Sequence, residues 1–336
     1  MRCGFLRSAI ILKTDRDSEN NLAESSPRGY PHKQFLARKR RRADLKNKIS
    51  MAFIKLMSLF SLKTARKIGK FVGYCAYLAN TRLYRTSLTN LRLCFPELSE
   101  NESRRLALLS LKNTGMTLAE SGPVWLWPAD KILGKIEAVE GAELLQEARE
   151  LGKGVVLLGP HHGNWELMGL YLSFLGKCSQ LYQPPKNAEF DALLFTARSR
   201  AGAQMFPADS RGVAAILGAL KKGEMAGILP DQIPAPRAGD FAPFFGHDAY
   251  TMTLVSRLLQ KTGAKALLTY AKRTDDGFKI IIKQPDPTIY AKHMQDSLAG
   301  LNKTVEMAVN DAPEQYQWEY KRFRYQPEGK PEPYQI

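Results

Sequence analysis

Gly154-Val-Val-Leu-Leu-Gly-Pro-His-His-Gly-Asn-Trp-Glu166 reads as a buried strand that runs through a turn into a helix. Residues 154–159 are apolar and partly β-branched, Pro160 ends the run, Gly163 permits a tight turn, and Asn164 suits a helix N-cap. His161 then falls in the turn and Glu166 in the first helical turn. Along one continuous helix the two side chains would lie about 140° apart, on different faces, so only this strand–turn–helix reading lets them pair. The helix dipole favours an ionised Glu166, and such a carboxylate can fix the tautomer of an imidazole and raise its basicity. A carboxylate-held base able to strip a hydroxyl is the minimum equipment for moving an acyl group. By itself the spacing is weak: five His and 33 Asp+Glu in 336 residues give roughly half a chance match. A His satisfied at a strand end explains it equally well.

The remainder of the chain bounds what such a site can serve. With 336 residues, 44% of them hydrophobic, it can bury one large core or two modest ones. Cys3, Cys75, Cys94 and Cys178 are scattered without a framework, which fits a reducing compartment. No metal site is expected, because His161 and His162 lack a third ligand, His32, His247 and His293 stand alone, and no Cys pair has ligand spacing. The net charge of +16 implies an anionic partner; residues 1–50 hold 13 Lys+Arg against 5 Asp+Glu, half of that excess. Helix-turn-helix, zinc-finger and RNP patterns are lacking, and the basic residues are not interleaved with aromatics, so nucleic acid is not the expected partner. A membrane surface or an acidic carrier protein fits better.

Stretches free of Asp, Glu, Lys and Arg reach only about a dozen residues, short of the roughly 18–20 a membrane span needs. Residues 52–79 instead combine Phe53, Ile54, Leu56, Met57, Leu59, Phe60, Ile68, Phe71 and Val72 with Lys55, Lys63, Arg66, Lys67 and Lys70. This suits a basic amphipathic helix on a membrane surface, or a core helix with a solvated basic face. The Ser-, Asn- and Arg-rich residues 1–50 read as a disordered basic extension upstream of a start at Met51. Residues 51–150 read as a helical, membrane-associating region, with Leu98-Ser99 leading into a capped helix from Glu102. Over 151–330 short apolar strands (154–159, 178–183, 225–230, 266–272, 278–283) alternate with helices (187–200, 211–222, 252–262, 294–311), and Asp275-Asp276-Gly277 marks a hairpin. The expected fold is α/β, a central mixed sheet flanked by helices, behind an N-terminal helical region.

Several stretches together resemble the late acyltransferases of lipid A biosynthesis over most of residues 75–330. They are Asn90-Leu-Arg-Leu-Cys-Phe-Pro-Glu-Leu-Ser-Glu100, Glu120-Ser-Gly-Pro-Val-Trp-Leu-Trp-Pro128, Pro160-His-His-Gly-Asn-Trp-Glu166, Leu220-Lys-Lys-Gly-Glu224, Pro230-Asp231, Ala242-Pro-Phe-Phe-Gly246 and Ala312-Pro-Glu-Gln-Tyr-Gln-Trp-Glu-Tyr-Lys-Arg-Phe323. The resemblance implies a glycerolipid-acyltransferase-like sheet and a cofactor-free transfer of a fatty acyl chain from acyl carrier protein to a hydroxyl of a lipid A precursor. It implies a place on the cytoplasmic face of the bacterial inner membrane, peripheral or monotopic. The family's catalytic pair falls on His161 and Glu166. Its substrate-contacting positions fall on Asn164, Asn187, Arg198, Arg200 and Asp231. Where the family commonly has Tyr-Arg-Pro this chain has Tyr182-Gln183-Pro184, and the N-terminal hydrophobic span of many members is missing.

These assignments give His161 as general base, Glu166 as its orienting partner, and Arg198 and Arg200 as holders of acceptor phosphate or carboxylate. Asp231, after the strand 225–230, can orient a neighbouring group or cap its loop. No Gly-x-Ser-x-Gly elbow is present and Cys178 has only Lys177 beside it, so direct transfer is expected rather than an acyl-enzyme. Phe241–Phe245 can line an acyl channel or fill a core, and Trp125 and Trp127 can sit at a membrane interface or pack inside. A glycerolipid or ornithine-lipid acyltransferase with the same dyad, and a non-enzymatic basic membrane- or nucleic-acid-binding protein with a structural His161, remain alternatives.

Overall fold

The protein is described from a computed structural model over residues 47–185 and 187–334. The extension read as disordered lies outside these residues up to position 46; residues 47–50 are helical and continue through Met51. Helix α1 covers 47–58, followed by α2 (Leu62–Leu78), α3 (Arg82–Cys94), α4 (Glu100–Leu126) and α5 (Ala129–Leu133). Ser99 and Glu102 form the capping box that starts α4, each side chain bonding the other's backbone N–H. The helical pattern ends at α5, and at β1 (Ile136–Glu140) the chain enters a sheet. Then come α6 (Ala142–Glu150), β2 (Val155–Leu158), α7 (Trp165–Leu175), β3 (Cys178–Tyr182), α8 (Ala188–Ser199), β4 (Gln204–Pro207), α9 (Ser210–Lys221) and β5 (Met225–Ile228). The hairpin β6 (Gly239–Phe244) and β7 (His247–Met252), α10 (Leu254–Thr262), β8 (Lys265–Arg273), β9 (Phe278–Lys283) and α11 (Met294–Asp311) complete the order.

Seven strands form one mixed sheet in the order β1-β9-β8-β2-β5-β3-β4. All neighbours pair in parallel except β8 and β9, which close antiparallel across the Asp275-Asp276-Gly277 turn. The four residues of β2 are fully buried, which explains their unbroken Val-Val-Leu-Leu run. Strand β2 lies between β8 and β5, with Leu158 opposite both Ile228 and Leu268. The chain that leaves β2 and the chain that leaves β5 therefore emerge side by side at the carboxyl ends of central strands, where open α/β sheets bind ligands.

The helical region and the sheet share one core: Ile54, Leu62, Val124 and Trp125 pack in the same cluster as Val155, Leu157 and Ile280. Helix α2 crosses α4 where Gly69 meets Gly115, so closely that a Cβ on Gly115 would stand 2.1 Å from the Gly69 carbonyl oxygen. One buried charge cluster fastens this crossing to the sheet. Glu120 of α4, fully buried, accepts from Arg66 Nε of α2 at 2.6 Å, from Arg273 Nε of β8 at 2.8 Å and from Asn164 Nδ2 at 2.8 Å. Arg66 continues to the carbonyls of Thr274 and Gly277 in the β8–β9 turn. Burial alone would raise the Glu120 carboxyl, but Arg273 and Arg66 outweigh it and hold it below the usual carboxylate range. Phe244 is 1% exposed and packs on Tyr316 and Phe323 in a second core, so the aromatic run 241–245 builds a hairpin and a core rather than a channel.

Candidate active site

The turn after β2 is shaped by one residue. Gly163 has φ +58°, donates its N–H to Gln315 O at 3.0 Å, and leaves no room for a side chain, since a Cβ would stand 2.1 Å from Ala271 O. Asn164 then caps α7, its Oδ1 accepting from Leu167 N–H at 2.9 Å while its amide bonds Glu120. With both ends used and 1% exposure, Asn164 is a structural cap and not the substrate contact expected for it.

His161 and His162 leave this turn in different directions. His162 is fully buried, faces the Tyr270 ring edge-on and sits with Nε2 3.0 Å from Ala312 O, its Nδ1 unpartnered. Burial pushes its pKa down from 6.5 to about 4, so it is neutral in the fold. The unfolded chain then takes up this proton first as pH falls. The stability His162 contributes is complete above pH 6.5 and is withdrawn between there and about 4, about 3 kcal/mol in total. Glu319 works with the opposite sign: burial raises its carboxyl to about 7, and the stability from its protonated form fades as pH rises from 4.5 through 7. Urea midpoints recorded from pH 7 down to 4 are expected to fall less steeply for His162→Gln than for the unsubstituted protein. Equal slopes would remove His162 as the cause.

His161 points to the cavity, and its partner is not the acid on its own helix. Asp231, three residues beyond β5, accepts from the His161 backbone N–H at 2.8 Å and faces His161 Nδ1 with its other oxygen at 2.8 Å. Burial would raise the Asp231 carboxyl, but the imidazole and the bonds it receives hold it below its ordinary value. An ionised carboxylate can only accept, so Nδ1 carries the hydrogen and Nε2 the lone pair. The Asp231 side chain keeps 2% exposure and that of His161 14%, so the carboxylate is enclosed while the imidazole is reachable. The sequence carried half of this signal, an acid just beyond the strand 225–230; that this strand lies beside β2 is added by the fold.

Glu166 is committed elsewhere. Arg198 grips it in a fork, Nε to Oε2 at 3.0 Å and Nη2 to Oε1 at 2.5 Å, and Trp125 Nε1 adds a bond at 3.1 Å. Burial is again outweighed, here by Arg198, and the carboxyl is held low. Both oxygens of Glu166 are thus taken, and it faces His161 as a nearby charge rather than as the orienting partner. Arg198 in turn is an ion-pair residue of this wall. Arg200 donates to the carbonyls of Val124 and Trp125 at the end of α4, and Asn187 caps α8 through Phe190 N–H at 2.8 Å. Both side chains thus hold helix ends together, while the Arg200 Nε, buried, has no hydrogen-bond partner. Trp127, buried, donates to Ser58 O, so it packs rather than lying at an interface.

A cavity of about 380 Å³ opens beside His161 and Glu166, within the usual range for small-molecule sites. Leu118, Val124, Met168, Leu172, Met205 and Met252 supply much of its apolar wall. His161, Gln232, Gln317 and Glu319 are among its polar lining. Gln317 is 5% exposed, and its Nε2 makes no hydrogen bond, although the Glu319 carboxyl lies near enough to feel it. A buried donor without an acceptor, on the wall of a cavity, is a place for a ligand oxygen. Cys178, buried, has its thiol pushed up to about 11 and is no nucleophile at neutral pH.

A base held by a carboxylate on the wall of a largely apolar cavity suits acyl transfer to a hydroxyl, and comparison with known proteins agrees. The sequence profile of the family described as "Bacterial lipid A biosynthesis acyltransferase" matches residues 36–325. The chain belongs to this family. It is 32% identical over 271 residues to a lipid A biosynthesis lauroyltransferase of Escherichia coli (strain K12), covering 80% of this chain and 88% of the relative. A palmitoleoyltransferase of the same organism is 31% identical over 267 residues, covering 78% and 86%. A myristoyltransferase is 24% identical over 271 residues, covering 80% and 82%. The protein is therefore a lipid A biosynthesis acyltransferase with a mixed-sheet α/β fold. In this fold the five-residue spacing of His161 and Glu166 places Glu166 against Arg198 and leaves the imidazole to Asp231.

Proposed function

We propose that this acyltransferase moves a fatty acyl chain from acyl carrier protein to a hydroxyl of a lipid A precursor, with His161 as general base. The observation that carries the reading is the His161–Asp231 pair, 2.8 Å apart, with the imidazole lining the largely apolar cavity. The acceptor hydroxyl gives its proton to His161 Nε2 as its oxygen bonds the thioester carbonyl carbon. The carbon–sulfur bond then breaks and the imidazole returns the proton to the departing thiolate. Asp231 holds the tautomer and stabilises the imidazolium, and the ionised Glu166, its charge largely offset by Arg198, lies nearby. The unpartnered Gln317 Nε2 is the donor assigned to the oxyanion of the tetrahedral intermediate. The acyl tail lies along Leu118, Met168 and Leu172.

The reaction is placed at the cytoplasmic surface of the inner membrane. Among the described residues no helix is long and apolar enough to cross a membrane. On α1, α2 and the turn between them, however, Leu56, Leu59, Phe71 and Leu78 stand exposed, Leu59 at 80% and Phe71 at 67%, among exposed Lys55, Lys63, Lys67 and Lys70. Exposed apolar side chains set among ammonium groups fit an anionic bilayer surface. The function is tested by mass spectrometry of lipid A from the host after deletion and restoration of the chain, with transfer from a carrier-bound acyl thioester measured in vitro. Loss and return of one acyl increment is expected. Transfer to lysophosphatidic acid with none to a lipid A precursor would contradict it.

A further inference from the structure

Gln232 occupies the one atom of His161 that the reaction needs. Its side-chain nitrogen lies 3.1 Å from His161 Nε2 and 3.1 Å from Gln317 Oε1, so both amide hydrogens are placed. Because Nδ1–H is committed to Asp231, the hydrogen on Nε2 comes from Gln232, and the lone pair of the base is covered. The cover is anchored: Gln232 follows Asp231 directly, and Gln317 donates its backbone N–H to His161 O at 3.0 Å. While it holds, neither water nor a hydroxyl can hand a proton to Nε2.

We propose that Gln232 is a displaceable cap on the base, a positioning residue that fixes the reactive tautomer, keeps water off Nε2, and yields that atom to the acceptor hydroxyl. This deepens the reading of His161 as general base and rests on it. The side reaction held back is hydrolysis of the donor. In it a water oxygen bonds the thioester carbonyl carbon and its proton passes to Nε2; the carbon–sulfur bond breaks and the thiolate takes the proton. The charged or titratable groups around the imidazole are Asp231 from the loop after β5, Glu166 of α7 with Arg198 of α8, and Glu319 and Tyr316 from the C-terminal segment. Gln232, which carries no charge and does not titrate, is the group in contact with Nε2.

The test uses the full-length enzyme with a carrier-protein acyl thioester, alone for hydrolysis and with a lipid A precursor for transfer. Gln232→Ala is expected to raise the hydrolysis-to-transfer ratio about tenfold, the factor that corresponds to about 1.4 kcal/mol, the scale of one hydrogen bond. The ascending limb of its kcat/KM profile should move to higher pH, because a donor on Nε2 favours the neutral ring and that preference is lost. Gln232→Glu goes further in the same direction: its carboxylate accepts from the charged ring, so transfer and hydrolysis both fall near neutrality and return as pH rises. A merely misfolded variant would recover neither. An unchanged ratio and limb in Gln232→Ala, or neutral-pH activity intact in Gln232→Glu, would overturn the cap. Transfer that survives His161→Ala would instead remove the base on which the cap sits.

Discussion

Asp231→Asn lowers kcat for acyl transfer by about 10²–10⁴-fold, the range lost when a general base is disabled, while Glu166→Gln costs clearly less. The reason lies in what each carboxylate touches. Asp231 meets both the ring and the backbone of His161, at 2.8 Å each. An amide there can donate to Nδ1 instead of accepting from it, which moves the ring hydrogen to Nε2, the atom that must be empty. Glu166 is held by Arg198 and Trp125, and its amide replacement keeps an acceptor oxygen for Arg198 Nε and Trp125 Nε1 while losing the bond from Arg198 Nη2. Its effect on the imidazole is that of a charge through space. Steady-state transfer rates for the two variants check this, with the near-ultraviolet circular dichroism of each used to show native packing. A Glu166→Gln loss equal to or larger than that of Asp231→Asn would return the orienting role to the residue that sequence spacing suggests.

Glu120→Ala destabilises the fold by about 3–5 kcal/mol, the cost of removing one partner from a buried ion cluster. Glu120 has no exposure and compensates two guanidinium groups, Arg66 and Arg273, whose side chains keep 6% and 3% exposure. Without it both cations remain buried, and the ties among α2, α4, the β8–β9 turn and the Asn164 cap are cut together. Glu120→Gln retains acceptor oxygen and shape and is expected to cost less. Urea unfolding at neutral pH measures both. A midpoint for Glu120→Ala within about 1 kcal/mol of the unsubstituted protein, the size of an ordinary surface change, would mean that water reaches this cluster. Because Asn164 starts the helix that follows His161, the same substitution is expected to lower transfer activity even where the protein remains folded.

The central strands were legible because their surroundings write them plainly. Strands β2, β5, β8 and β9 are largely apolar runs buried on both faces, and the Asp-Asp-Gly turn announced the one antiparallel pair of the seven-stranded sheet. Strand β1 was missed for the converse reason: Ile136-Glu-Ala-Val-Glu140 lies at the sheet edge, and its last four residues are exposed, so nothing in its polarity separates it from a helix. The hairpin β6–β7 was hidden by its aromatics, which suggested a channel although they fill a core.

At the site the residue types were readable and their pairing was not. His161 and Glu166 lie five positions apart, and that proximity drew them together on paper. Asp231 lies 70 positions from His161 and reaches it because β5 is the parallel neighbour of β2. Strand order is a tertiary fact that hydrophobic pattern does not encode. Arg200, Asn187 and Asn164 share a related lesson: polar groups near a site have carbonyls and N–H groups of helix ends to satisfy, and here those ends claimed them. Gln232 and Gln317 carried no sequence signal, being neutral residues in loops, yet they belong to the polar lining of the cavity.

The claim on which the rest stands is that His161 Nε2 receives the proton of the acceptor hydroxyl, and single-turnover transfer by His161→Ala tests it most directly. Preloaded with a carrier-bound acyl thioester and mixed with a lipid A precursor, this variant should form product about 10²–10⁴-fold more slowly than the unsubstituted enzyme. Its rate should also lose the ascending pH limb. A rate within a few fold of the unsubstituted enzyme, with that limb intact, would contradict the account.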